Sequence, residues 1–186
     1  MRRINSFIKL TVVFVIGAFG GCMQNNVKNN EIDGQSAPLQ QYNEGDTIHS
    51  LDELDTLLPA PPITKAPNFN IIYYFAGDCS QCIGKYITWV KNMKASNWLE
   101  YVHTFEINSS SQKETLLYYL DQVNVQPING LYSATESFKA NNKGVLEDGV
   151  VVVLLTNSSG KVLFVGDPFQ DKEIMNRYLS VLKNNQ

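Results

Sequence analysis

The stretch NIIYYFAGDCSQCIGKYITWV, Asn70 to Val90, constrains this chain more than any other. Ile71 to Phe75 is an unbroken apolar run, the pattern of a strand covered on both faces. Ala76-Gly77-Asp78 interrupts it. Apolar residues then recur at Ile83, Tyr86, Ile87, Val90 and Met93, one stripe of a helix, with Lys85, Lys91 and Lys94 mostly off the stripe. A buried strand that feeds directly into an amphipathic helix calls for a sheet with helices packed on it. At the junction stand Cys79 and Cys82, with Ser80 and Gln81 between them.

Four uses of such a pair can be weighed: a redox couple, a structural disulfide, half of a zinc site, and two buried thiols. The nucleophile of disulfide exchange is a thiolate, and a free cysteine is mostly protonated at neutral pH. The unpaired amides and dipole at a helix N-terminus favour a negative sulfur. Cys79 therefore reads as the attacking residue. Cys82, one turn on and expected to be more buried, reads as the resolving one. A structural disulfide across so small a loop would restrict the unfolded chain little. A zinc site needs about four ligands, and only His49 and His103 add nitrogen donors. His103 lies on a predicted strand and is expected to face solvent or to be hydrogen-bonded. Ile83 stands where c-type haem attachment would need a histidine. Asp78 disfavours a neighbouring thiolate unless it points to solvent; it and Lys85 are given no catalytic role. No cofactor or metal is called for, and Tyr73, Tyr74, Trp89, Trp98, Tyr118 and Tyr119 read mostly as packing.

The first residues follow a different logic. Arg2, Arg3 and Lys9 flank a short apolar run from Leu10 to Phe19, followed by Gly20, Gly21 and Cys22. This is the layout of an export signal. The apolar–small–small–Cys ending resembles the lipobox of bacterial lipoproteins, with Phe19 in place of the usual Leu. The resemblance implies cleavage after Gly21 and lipid on Cys22. It also accounts for three cysteines in an exported chain: with Cys22 lipidated, Cys79 and Cys82 form a self-contained pair. The lipid would hold the protein at a membrane. Net charge is -3, with no basic stripe of the kind nucleic acid requires. Residues 22–47, rich in Asn and Gln, read as a flexible tether.

Order is expected from about residue 48. Ser50 and Glu53 have capping-box spacing, and Leu51, Leu54, Leu57 and Leu58 share a helical face, which predicts a short helix ended by Pro59. Beyond the cysteines, a strand is predicted over about 100–107. A second capping box, Ser111 with Glu114, opens a helix over 111–123 that buries Leu116, Leu117, Leu120 and Val123. A short edge strand within 125–132 and a short helix over 134–142 follow. Val150–Leu155 and Lys161–Val165 form a hairpin about Asn157–Gly160. A last helix over 171–183 buries Ile174, Tyr178, Val181 and Leu182.

This order resembles the thioredoxin fold: α/β, with a mixed central sheet and helices on both faces. Within it, the chain is similar to membrane-anchored TlpA/ResA-type thiol–disulfide oxidoreductases. HSLDELDTLL (His49–Leu58) is similar to the short helix ahead of the first core strand in that group. YYFAGDCSQC (Tyr73–Cys82) stands at the redox motif, and VVVVLLTNSSGKVLFVGDP (Val150–Pro168) resembles the closing hairpin. The resemblance implies a thioredoxin-like domain over 48–186 in the cell envelope, facing the periplasm. It would exchange disulfides with protein thiols or disulfides through Cys79 and Cys82. Two departures stand out. The family's Gly-Pro between the cysteines is Ser80-Gln81 here, and its cis-proline ahead of the hairpin falls at Val150 or Val151. They leave a second reading open, a thioredoxin-fold lipoprotein that binds partners without turnover.

Overall fold

The computed structural model of the chain describes residues 44–61, 67–143 and 151–184. In chain order these form β1 (Asp55–Leu58), β2 (Phe69–Phe75), α1 (Ser80–Ala95), β3 (Val102–Asn108), α2 (Lys113–Gln122), β4 (Leu131–Ser133), α3 (Glu136–Asn141), β5 (Val152–Asn157), β6 (Val162–Val165) and α4 (Lys172–Asn184). Single 3-10 turns lie at Leu51–Glu53 and Trp98–Glu100. The strands make one six-stranded mixed sheet in the order β1-β4-β3-β2-β5-β6. β2 runs parallel to β3 and antiparallel to β5. β3 and β4 are parallel, whereas β1–β4 and β5–β6 are antiparallel.

Alternation along β2 sorts its side chains to two cores. Ile71, Tyr73 and Phe75 join Tyr86 and Trp89 of α1, Leu116 and Leu120 of α2, and Tyr178 and Leu182 of α4 in one large cluster. Ile72 and Tyr74 pack on the other face with Phe138 of α3, Ile48 and Val162. Both faces are thus covered, which is why β2 carries no polar alternation. Aromatic rings dominate the first cluster. Tyr73 lies 4.6 Å from Trp89, and Trp98 stacks on Phe169 at 5.5 Å and on Tyr178 at 5.7 Å, tying the end of α1 to the turn before α4.

Several expected elements differ. The helix read over Leu51–Leu58 is a single 3-10 turn followed by β1, so the likeness of this segment to a short preceding helix does not hold beyond Glu53. Ser50 has φ 59° and makes no side-chain cap, and pairing of Asp55–Leu58 with β4 draws Leu57 and Leu58 into the sheet. Leucines at spacings of 3, 3 and 1 fit the helical period, and pairing with the partner strand overrides it. The second capping box also fails to form: α2 begins after Gln112 with no side-chain cap, and Ser110 Oγ accepts the Gln112 N–H at 3.0 Å. Leu116 and Leu120 are buried and Leu117 is half-buried, but Val123 is exposed. Tyr118 and Tyr119 are likewise exposed, side by side on α2. β4 is an interior strand of three residues, held between β1 and β3, not an edge. On α4, Tyr178 and Leu182 are buried while Ile174 and Val181 are half-buried.

Described order begins four residues ahead of the expected domain start. Gly45 N–H donates to Val162 O and Val162 N–H to Asp46 O, at 2.8 and 2.7 Å, and Ile48 N–H donates to Gly160 O at 2.9 Å. Arg177 of α4 bonds Glu44 and lies 4.3 Å over the Phe164 ring. Residues 1–43, with Cys22, lie outside the described residues.

Candidate redox site

β2 ends at Phe75, and the backbone turns sharply before α1. Cys79 N–H donates to Ala76 O at 3.3 Å within that turn. Cys79 is the N-cap of α1, with φ -97° and ψ 109°, and its Sγ accepts the Cys82 N–H at 3.2 Å. Ile83 N–H donates to Cys79 O at 2.9 Å and starts the helical ladder. The sulfur therefore occupies the place of a capping oxygen, among amides that have no carbonyl within the helix.

Cys79 and Cys82 are joined as a disulfide, with Cα atoms 5.1 Å apart. Their exposures differ as the sequence predicts. Cys82 is 5% exposed, whereas Cys79 is half-buried and next to the exposed residues Asp78 and Ser80. An incoming sulfur thus meets Cys79 first. Asp78 in the turn and Lys85 on α1 are both exposed.

One residue that the sequence reading passed over holds this turn. Asn108 closes β3 and is fully buried. Its Oδ1 accepts the Gly77 N–H at 2.9 Å and the Ser110 N–H at 3.0 Å, and its Nδ2 donates to Ser110 O at 2.9 Å. A Cβ at Gly77 would lie 2.6 Å from Asn108 Oδ1, so the approach requires glycine. The available signal was an asparagine at the end of an apolar strand followed by Ser109-Ser110, a cluster that satisfies backbone rather than solvent.

A second buried polar group lies deeper. Glu106 on β3 is completely buried. It accepts from the Tyr86 hydroxyl, from the Thr104 hydroxyl at 3.1 Å, and from the Ile128 and Asn129 amides at 2.8 and 3.3 Å. Burial pushes its carboxyl up from the ordinary range, and these four donors oppose the shift without cancelling it. Burial, and then the nearness of Glu106, holds the Tyr86 hydroxyl well above the usual tyrosine range. Tyr86 also stacks on Phe75 at 4.4 Å. One side chain, a single turn beyond Cys82, thereby fixes α1 to both β2 and β3.

His103 is buried, contrary to a solvent-facing position, and its ring meets Phe105 edge-on at 4.7 Å. Burial lowers its pKa, which favours the neutral ring. Among the described residues, no group of three or more His, Cys, Asp or Glu is placed to hold a metal ion. Of the positions expected for the family's proline, Val150 lies outside the described residues and Val151 is half-buried just ahead of β5.

No family model and no curated protein matches the chain. Solved structures do. A Chlorobium tepidum protein assigned as thiol:disulfide interchange protein DsbE aligns over 76% of this chain and 99% of its own, at 17% identity and a TM-score of 0.54. The thioredoxin domain of a thiol-disulfide oxidoreductase from Bacteroides vulgatus aligns over 76% and 99%, at 8% identity and a TM-score of 0.51. A thiol-disulfide oxidoreductase from Bacteroides fragilis aligns over 74% and 99%, at 11% identity and a TM-score of 0.51. At these identities the likeness is one of fold. The chain has a thioredoxin-like α/β fold, structurally similar to thiol–disulfide oxidoreductases, with a Cys-x-x-Cys pair at the head of its first long helix.

Proposed function

We propose that this protein is an exported, lipid-anchored thiol–disulfide oxidoreductase that exchanges disulfides with protein partners through Cys79 and Cys82. The observation that carries the reading is the half-buried Cys79, whose sulfur caps α1, with its buried twin one turn away. In the reduced protein the Cys79 thiolate attacks a partner disulfide. A Cys79–partner bond forms and one partner thiolate leaves. Cys82, as thiolate, then attacks Cys79 Sγ, closes the Cys79–Cys82 disulfide and expels the second partner thiolate. Two electrons pass to the partner, and its thiolates take up protons according to their pKa values. The same steps run in reverse when a partner dithiol meets the closed pair, and the relative potentials set the direction.

The amides around Cys79 supply the electrostatics, since a thiolate there receives hydrogen bonding and dipole stabilisation that a thiol does not. The anchor is read from the lipobox-like ending at Cys22. It would place the domain in the cell envelope, facing the periplasm.

The test is covalent trapping in a Cys22→Ser background. Cys82→Ser is expected to accumulate mixed disulfides through Cys79 on exposure to oxidised partners, visible on non-reducing gels. Cys79→Ser is expected to accumulate none. The wild-type pair should reduce insulin disulfides with turnover. Equal inactivity of all three would leave the fold as a binding module and end the enzymatic reading. The native chain should also sediment with membranes, and the Cys22→Ser chain should not.

A further inference from the structure

Ala76, Gly77 and Asp78 carry the chain from the end of β2 to the reactive sulfur. The turn's own hydrogen bond is weak. The Cys79 N–H reaches Ala76 O at 3.3 Å, past the usual N–H···O range of about 2.7–3.2 Å. A firmer hold comes from β3. We propose that Asn108 is a positioning residue for disulfide exchange: its carboxamide fixes this turn so that Cys79 Sγ stays on the amides of α1. The inference rests on the oxidoreductase reading and gives one buried side chain control over how readily Cys79 ionises.

The contact is direct and shielded from water. Asn108 is fully buried, and its Oδ1 accepts the Gly77 N–H at 2.9 Å, two residues ahead of Cys79. The carboxamide is not free to swing away. Oδ1 also accepts the Ser110 N–H at 3.0 Å, and Nδ2 donates to Ser110 O at 2.9 Å, so both ends of the group are engaged. The next residue secures the other side of the turn, because the Ser109 N–H and Oγ–H both donate to Phe75 O, at 2.9 and 3.3 Å.

The fit is steric as well as polar. A Cβ on Gly77 would lie 2.6 Å from Asn108 Oδ1 and 3.0 Å from Leu116 Cδ2. Gly77 is not among the glycines of positive φ. What it supplies is therefore room for the Asn108 contact, not an unusual backbone conformation.

The sulfur depends on this hold. Cys79 caps α1 with extended backbone, φ -97° and ψ 109°, which brings Sγ to the Cys82 N–H at 3.2 Å. Both flanking residues, Asp78 and Ser80, are exposed, so neither packs it into place. Hydrogen bonds weaken steeply with misalignment. A turn released from β3 lets Sγ leave the helix head, and a thiolate then loses donors that a thiol does not need.

The test uses the reduced full chain in a Cys22→Ser background. The rate of Cys79 alkylation by iodoacetamide is followed against pH, with the modified peptide read by mass spectrometry. A serine at 108 can still accept the Ser110 N–H in a local turn but is too short to reach Gly77. Asn108→Ser should therefore raise the Cys79 titration midpoint by about one pH unit, a tenfold loss of thiolate below it. Its equilibrium with glutathione should move toward the closed disulfide by up to the same factor, about 30 mV. Gly77→Ala disturbs the contact from the other side and should shift the midpoint the same way. The two together should shift it by less than the sum. The charged groups around the head of α1 stay in place throughout: Asp78 in the turn, Lys85 on α1, Glu106 on β3, and Asp167 across the cavity that Gln81 lines. Thr135→Ala, which weakens the α3 cap instead, should melt lower with no shift, which separates positioning from a general loss of stability. An unchanged midpoint in folded Asn108→Ser overturns the proposal; if that variant does not fold, Gly77→Ala decides it by the same reading. A wild-type chain that ionises Cys79 readily but does not reduce insulin loses the oxidoreductase reading and keeps the role of Asn108. A wild-type Cys79 that titrates like free cysteine overturns both.

Discussion

α1 and α3 begin with the same geometry and a different atom. In α3, Thr135 is the N-cap, with extended backbone, and its hydroxyl accepts the Phe138 N–H at 3.1 Å. In α1, Cys79 is the N-cap, also extended, and its sulfur accepts the Cys82 N–H at 3.2 Å. Each side chain reaches the third residue of its helix. A hydroxyl oxygen is a good acceptor at any physiological pH, so the α3 cap is a fixed stabilising contact. Sulfur in a thiol or disulfide is a weak acceptor, and a thiolate is a strong one. The α1 cap is therefore conditional: it strengthens when the pair is reduced and ionised. One local rule yields a structural joint in one helix and a reactive atom in the other.

The strongest way to break this comparison is to make α1 begin as α3 does. Cys79→Ser installs a hydroxyl cap, and it should abolish disulfide exchange while keeping α1 intact. Thermal melts of the reduced variant should fall within about 1 kcal/mol of the reduced wild type, the range over which capping residues differ. A large loss of stability would mean that the sulfur packs rather than caps.

Next in size is the buried carboxyl that holds α1 from behind. Glu106→Ala leaves the Tyr86 hydroxyl and two amides without their acceptor, while the Thr104 hydroxyl keeps Asn129 Oδ1 at 3.0 Å. At about 1–3 kcal/mol for each buried unpaired group, the loss should exceed about 3 kcal/mol in urea unfolding. Glu106→Gln keeps an acceptor for most of these donors and isolates the charge. The folded carboxyl is raised above its ordinary value of 4.5, and burial is the dominant cause. Its contribution is therefore fully present below that value and is lost as pH rises through the folded pKa. Wild-type stability should decline across that window, and Glu106→Gln should flatten the decline. Parallel curves would show that the carboxyl titrates normally. The smallest effect belongs to α3: Thr135→Ala should cost about 1 kcal/mol in a thermal melt and leave disulfide exchange untouched.

The comparison also marks where sequence reasoning succeeds. The α1 start was legible because everything it needs is local: an apolar run, a break, two cysteines and a stripe of period 3.6. β2, the β5–β6 hairpin and α4 were legible for the same reason. β1 was not, because Leu51, Leu54, Leu57 and Leu58 have helical spacing, and the pairing that overrides it is with β4, more than seventy residues away. Val123 fits the apolar spacing of α2 but lies beyond its last turn, and is exposed. At the site, the Cys79–Cys82 pair could be read directly. Its support could not, because Gly77 meets Asn108 across 31 residues and Tyr86 meets Glu106 across 20. A lone Asn or Glu on a strand announces no partner until the strands are placed.

β6 is the outermost strand on its side of the sheet, yet residues 45–48 already occupy backbone groups that it turns outward. Such a row of unpaired groups is a ready template for strand addition by another molecule. The leading segment thus acts as a guard against self-association as well as a connection to whatever precedes it. A recombinant version trimmed back to Ile48 would lose that guard, and soluble, monomeric material calls for a chain that retains Glu44 and its bond to Arg177.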